Sequence, residues 1–111
     1  MDLVEKQCIV CENGGAPLAM EKEVTLLSEL GGWEIDRRTV HKIRKQYREE
    51  SFRDAIEFVN KVARIAEEQG HHPDIHIKFN KVTIELYTHA VSGLSENDFI
   101  MAARIDALTV T

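Results

Sequence analysis

The stretch "IHIKFNKVTIELY" (75–87) decides the architecture. Ile75, Ile77 and Phe79 alternate with polar residues, and Val82, Ile84 and Leu86 do the same beyond Asn80-Lys81. Alternation with period two puts each apolar set on one face of a strand. Two such runs joined by a pair of turn-forming residues read as a β-hairpin. With its turn at Asn80-Lys81, this hairpin sets position 72 opposite position 89.

Upstream, "SFRDAIEFVNKVARIAEEQG" (51–70) switches to helical period, with Ala55, Ile56, Val59, Val62, Ala63 and Ala66 forming a broad apolar stripe. Ser51 with Asp54 has capping-box spacing at its start, and Gly70 is placed to end it. Before it, residues 33–48 interleave Trp33, Ile35, Val40, Ile43 and Tyr47 with charges. Two antiparallel strands with a turn near "DRRT" fit this pattern, although "IRKQYREE" also reads as helix. The first helix covers Met20 to Leu30, with Val24, Leu27 and Leu30 at helical spacing and Gly31-Gly32 closing it. Downstream, Ser95 and Asp98 repeat the capping-box spacing. They open a last helix that carries Phe99, Ala102, Ala103, Ile105 and Ala107 inward.

The order is therefore α-β-β-α-β-β-α. One four-stranded antiparallel sheet with three helices on one face buries every apolar stripe, an α+β sandwich of two layers. Residues 1–18, punctuated by "NGGAP", read as an irregular leader, and 19–111 as a single domain.

Hairpin counting brings His71 and His72, at the entrance of the third strand, beside His89, just past the fourth. Asp98 opens the neighbouring helix. Taken alone, adjacent histidines before Pro73 belong to a solvated turn, His89 to a strand end, and Asp98 to a helix cap. Three imidazoles at one end of a sheet instead make an acid–base site, because histidine exchanges protons near neutrality. His76 alternates with Ile75 and Ile77 and faces solvent; His41 also stands outside the group. Zinc is the rival chemistry, since "CIVC" (8–11) is a C-x-x-C. A closed zinc site needs a second pair of ligands, and the sequence holds no other cysteine. No phosphate-binding glycine loop or nucleophile elbow is present.

The formal charge of −5 argues against non-specific binding to nucleic acid, which needs clustered cations; the one basic cluster, 36–48, alternates with apolar residues as a strand does. No run approaches the ~20 apolar residues that span a bilayer. The first twenty residues lack a secretory pattern, so a soluble cytoplasmic protein is expected. A core of this size makes homo-oligomerisation a natural means of further burial.

"GHHPDI" (70–75), "VTIELYTHAVSGLSENDF" (82–99) and "AARID" (102–106) resemble the pterin-4a-carbinolamine dehydratase family. "GGWEID", the 51–70 helix and the opening "CIVCENGGAPL" fit it too, so the likeness covers nearly the whole chain. The resemblance implies dehydration of a 4a-hydroxytetrahydropterin to quinonoid dihydropterin without metal or redox cofactor. It implies that His71, His72 and His89 are the active-site histidines, His71 and His89 handling protons and His72 orienting the pterin. Pro73, Thr88 and Asp98 join His72 as substrate-binding positions, with Asp98 the supporting acid. It also implies a homodimer or homotetramer, and some members act as non-catalytic dimerisation partners of a transcription factor. The chain departs from the family at Gly70 and Ile75, where many members carry an acid and an aromatic, and at Glu49, where an apolar residue is common.

Overall fold

A computed structural model describes residues 3–8 and 16–108. Among them stand three helices, α1 (Met20–Leu27), α2 (Phe52–Gln69) and α3 (Glu96–Ala107). The strands are β1 (Glu34–Asp36), β2 (Lys42–Arg48), β3 (Asp74–Lys78) and β4 (Lys81–Leu86). The strands form one antiparallel sheet in the order β1-β2-β4-β3. Helices cover one face, where Ile43 and Tyr47 of β2 and Val82, Ile84 and Leu86 of β4 are buried. This is the two-layer α+β sandwich, in the expected order.

In 42–48 the strand reading holds because alternation buries Ile43 and Tyr47 while Arg44, Gln46 and Arg48 stay on the other face, paired along β4. α2 is capped at both ends: Ser51 Oγ accepts from the Asp54 N–H at 3.0 Å, and Gly70 takes the left-handed conformation (φ 67°). Its inward residues are Ala55, Phe58, Val62 and Ala66. Phe58 replaces the expected Ile56 and Ala63 on the innermost line, because a large ring there meets Tyr47 with centroids 4.8 Å apart. α3 is the central helix, with Asn97 to Ala102 and Ile105 all buried. Its Asp106 accepts from Trp33 Nε1 at 3.0 Å, Lys45 Nζ at 2.8 Å and Tyr47 OH at 2.5 Å, tying the helix to both ends of the β1–β2 unit. The segment 3–8 lies against it, with Leu3 in the core and the Arg104 guanidinium donating to the Lys6 carbonyl at 3.0 Å.

Two local expectations are corrected. Lys78 pairs with Lys81, so the turn is Phe79-Asn80 and not Asn80-Lys81. The whole register moves by two: Ile75 faces Ile84 and Ile77 faces Val82. The cause is Asn80, whose carbonyl accepts from the Glu49 N–H at 2.8 Å while its amide donates to the Glu49 carbonyl at 2.9 Å. That anchor places Asn80 in the turn and expels Phe79, which is 69% exposed with φ 53°. Because the shift is even, Ile75 and Ile77 keep the face assigned to them.

The second correction concerns α1. Val24 is exposed, and Glu23 and Leu26 face inward instead. Glu23 is fully buried: Oε1 accepts from Arg37 Nε and Nη2 at 3.2 and 3.1 Å, and Oε2 pairs with His41 Nδ1 at 2.8 Å. A buried charge costs several kcal/mol unless it is paired and hydrogen-bonded, which these three contacts achieve. The helix also ends at Leu27, before Leu30, where Ser28 Oγ donates to the Thr25 carbonyl at 2.6 Å.

Candidate active site

Once α2 ends, the left-handed Gly70 turns the chain back along the sheet, and Pro73 leads it into β3. The two histidines on this turn point to different partners. His71 Nε2 lies 2.6 Å from Asp98 Oδ1, with only 12% of its side chain exposed and none of that of Asp98. The other oxygen, Oδ2, accepts from Thr88 Oγ1 at 2.8 Å and from the Ser95 N–H at 2.9 Å. That second bond is half of the capping box that starts α3. Thr88 has one hydroxyl proton and gives it to Asp98, so in the 2.7 Å Thr88–Ser95 contact Ser95 is the donor.

The network explains which residues come together. Continuing the observed β3–β4 register outward sets 71 level with 88 and 72 level with 87, in place of the expected 72 with 89. His71 and Thr88 therefore approach Asp98 from adjacent strands' ends while α3 begins beneath them.

His72 and His89 are placed differently. His72, 59% exposed at its side chain, has Nε2 2.5 Å from Glu67 Oε2 on the last turns of α2. His89 opens a short 3₁₀ turn (His89–Val91) and is exposed. Its Nε2 is 2.8 Å from the Tyr87 hydroxyl, and the two rings lie 4.5 Å apart. Among the described residues, no hydrogen bond or ring contact joins one of these histidines to another. His41 and His76 stand apart as expected, His41 on Glu23 and His76 on the open sheet face, 3.5 Å from Glu85.

Chemically, a histidine whose one ring nitrogen donates to a fixed carboxylate holds the other nitrogen ready to accept a proton. His71 has that arrangement with Asp98. Sequence reasoning missed Glu67 and Tyr87. Tyr87 had a signal, since two residues apart in a strand means one shared face. Glu67 depends on the turn at Gly70 and had none. Cys11 lies outside the described residues, and among those described no group of three His, Cys, Asp or Glu gathers to hold a metal. No described helix is long and apolar enough to cross a membrane. A cleft of about 640 Å³ lies at the opposite end of the molecule, against Lys45, Tyr47, Arg48, Asp54, Phe58 and Leu108, and none of the three histidines borders it.

Comparison with known proteins finds relatives of the whole chain. Residues 16–108 match the family model for pterin 4 alpha carbinolamine dehydratase. A protein of Rubrobacter xylanophilus provisionally named for that activity is 42% identical over 96% of this chain and 98% of its own length. A similarly named protein of Nitrosospira multiformis is 45% identical, covering 96% and 92%. Among solved structures, a transcriptional coactivator/pterin dehydratase from Brucella melitensis superposes with a TM-score of 0.80 at 28% identity, over 85% of this chain and 99% of the other. A pterin dehydratase-like RuBisCO assembly factor of the alpha-carboxysome superposes with a TM-score of 0.61 at 26% identity, covering 72% and 92%.

Proposed function

The chain belongs to the pterin 4 alpha carbinolamine dehydratase family, and we propose that it dehydrates a 4a-hydroxytetrahydropterin to the quinonoid dihydropterin. The reaction breaks the C4a–O bond, and the hydroxyl takes up a proton and leaves as water. A proton leaves N5, and the electron pair of that N–H bond becomes the N5=C4a double bond. Nothing is oxidised or reduced, so the protein's task is to supply one proton and accept another.

His71 and His89 are the proton carriers in this proposal. Asp98 orients His71 by accepting from one ring nitrogen, and Thr88 acts through Asp98. The Tyr87 hydroxyl holds His89 in place. His72, steadied by Glu67, binds the pterin together with Pro73. Glu67 also returns a carboxylate to the neighbourhood where Gly70 stands in place of the acid common in the family. The observation that carries the reading is the 2.6 Å His71–Asp98 contact on a carboxylate with no solvent exposure. A buried carboxylate holding a nearly buried histidine at the sheet end is more than a helix cap requires.

The test is a stopped-flow dehydration assay on the purified protein. Wild type should accelerate the reaction, and His89→Ala should lower kcat by about 100-fold or more. A wild-type rate in that variant would remove the site assignment; an inactive wild type would remove the function. The second outcome, with the fold intact, favours the other reading: a non-catalytic protein-binding, dimerisation module of the coactivator kind. Two structural neighbours, a transcriptional coactivator/pterin dehydratase and a pterin dehydratase-like RuBisCO assembly factor, support that alternative.

A further inference from the structure

The sheet face turned away from the helices can be read row by row from the strand register. Glu34, Arg44, Glu85 and Asp74 lie level with one another, and Arg44 reaches Glu85 at 3.6 Å and Asp36 at 4.0 Å. The next row, Gln46, Thr83 and His76, carries no fixed charge, and Gln46 Nε2 donates to Thr83 Oγ1 at 3.4 Å. At the hairpin end, Arg48, Lys81 and Lys78 stand directly opposite one another across three strands. Their strand neighbours Tyr47 and Val82 are buried under the helices, so the three cations share the open face.

Like charges set directly opposite on adjacent strands destabilise a sheet. Here three of them meet with no ion-pair or hydrogen-bond partner for any of their side chains among the described residues. Composition does not force this, since acids outnumber Lys and Arg by 19 to 14. The row two steps along sets three acids around Arg44, which pairs with Glu85, so the all-cationic row is confined to one end of the face.

We propose that the Arg48–Lys81–Lys78 row docks an acidic α-helix of a partner protein, with carboxylates repeating every fourth residue. Directly opposed strand residues are ~4.5–5.5 Å apart. Residues i and i+4 on a helix are ~6 Å apart along its axis, so over three positions a helix laid across the strands overruns the row by only ~2 Å, which the flexible Lys and Arg side chains take up. Same-face residues of an extended strand are ~6.6 Å apart and drift out of step by the third. A two-layer sandwich leaves this face free for such a helix. The uncharged Gln46–Thr83–His76 row beside it supplies hydrogen-bonding groups without repelling an anion. The site lies ~20 Å along β3 from His71 and His72, so it is independent of the pterin chemistry.

The experiment is fluorescence anisotropy with a labelled helical peptide bearing Glu at every fourth position. Wild type should bind it, and binding should weaken as salt rises. The combined Arg48→Gln, Lys78→Gln and Lys81→Gln variant should bind at least ~10-fold more weakly, three modest ion pairs being lost. A peptide with Gln for each Glu should not bind, which tests the proposal even if the protein variant fails to fold. Equal binding by wild type and variant overturns it, as does inorganic tripolyphosphate binding to the row while the peptide does not. Lys81→Gln alone should raise the thermal midpoint at low salt, with the gain shrinking at high salt. An unchanged or lowered midpoint would mean that the row is not strained and would also overturn it.

Discussion

Asp98 divides its two oxygens between a histidine and a helix cap: Oδ1 holds His71, while Oδ2 takes the Thr88 hydroxyl and the Ser95 N–H at the start of α3. An asparagine there has one acceptor oxygen and an NH2 with two donors, so with its oxygen kept on the cap it can meet His71 only in the opposite tautomer and leaves one N–H unpaired. Asp98→Asn is therefore expected to cost about 1–3 kcal/mol of stability through an unsatisfied buried donor. It should also lower kcat by about 100-fold or more if His71 carries a proton. Urea denaturation reads the first effect, and ¹⁵N shifts of the His71 ring read the tautomer directly. A wild-type tautomer and rate would show that Asp98 is only a cap. The Ser95–Asp98 cap was legible in the spacing of four residues. The contact of that acid with a histidine 27 positions away was not, because it depends on how α3 packs beneath the sheet.

At the level of elements, α2 and its exit turn position both adjacent histidines, and Gly70 is the hinge of that arrangement. An added Cβ at Gly70 meets nothing within 4 Å, so a substitution there is penalised by the left-handed backbone (φ 67°) alone. Gly70→Ala should lose about 1 kcal/mol and Gly70→Asn less, since Asn tolerates this conformation better. Equal losses in urea denaturation would mean that the backbone is not the cause. The strands were legible as types from alternation, and α2 from its stripe. Register was not, because the anchor that selects Phe79-Asn80 as the turn is a reciprocal pair of hydrogen bonds between Asn80 and Glu49, 31 residues earlier. The rotation of α1 was hidden for a similar reason. Glu23 looks like a solvent-facing acid until Arg37 and His41 come round to meet it.

Over the whole molecule, Asp106 joins the C-terminal helix to Trp33, Lys45 and Tyr47. Burial, with help from the Asp106 carboxylate, pushes the Tyr47 hydroxyl well above the ordinary tyrosine range. In the unfolded chain Tyr47 loses its proton above pH ~10, whereas in the folded protein it keeps it. The unfolded state then binds fewer protons, so stability falls as pH rises beyond that point. Tyr47→Phe should be less stable than wild type near neutrality by ~1 kcal/mol, and that gap should close above pH ~10. A gap that stays constant with pH, measured by denaturant titration, would separate Tyr47 from the alkaline loss. The sequence by itself determined the α+β class, the order of elements and the types of side chain near the site, because periodicity and capping are local and act within a few residues. Only the tertiary structure decided the hairpin register, the buried face of α1 and the partner of each histidine. The register, the α1 face and the His71–Asp98 contact rest on hydrogen bonds and charges between residues far apart in the chain, whose encounter depends on packing.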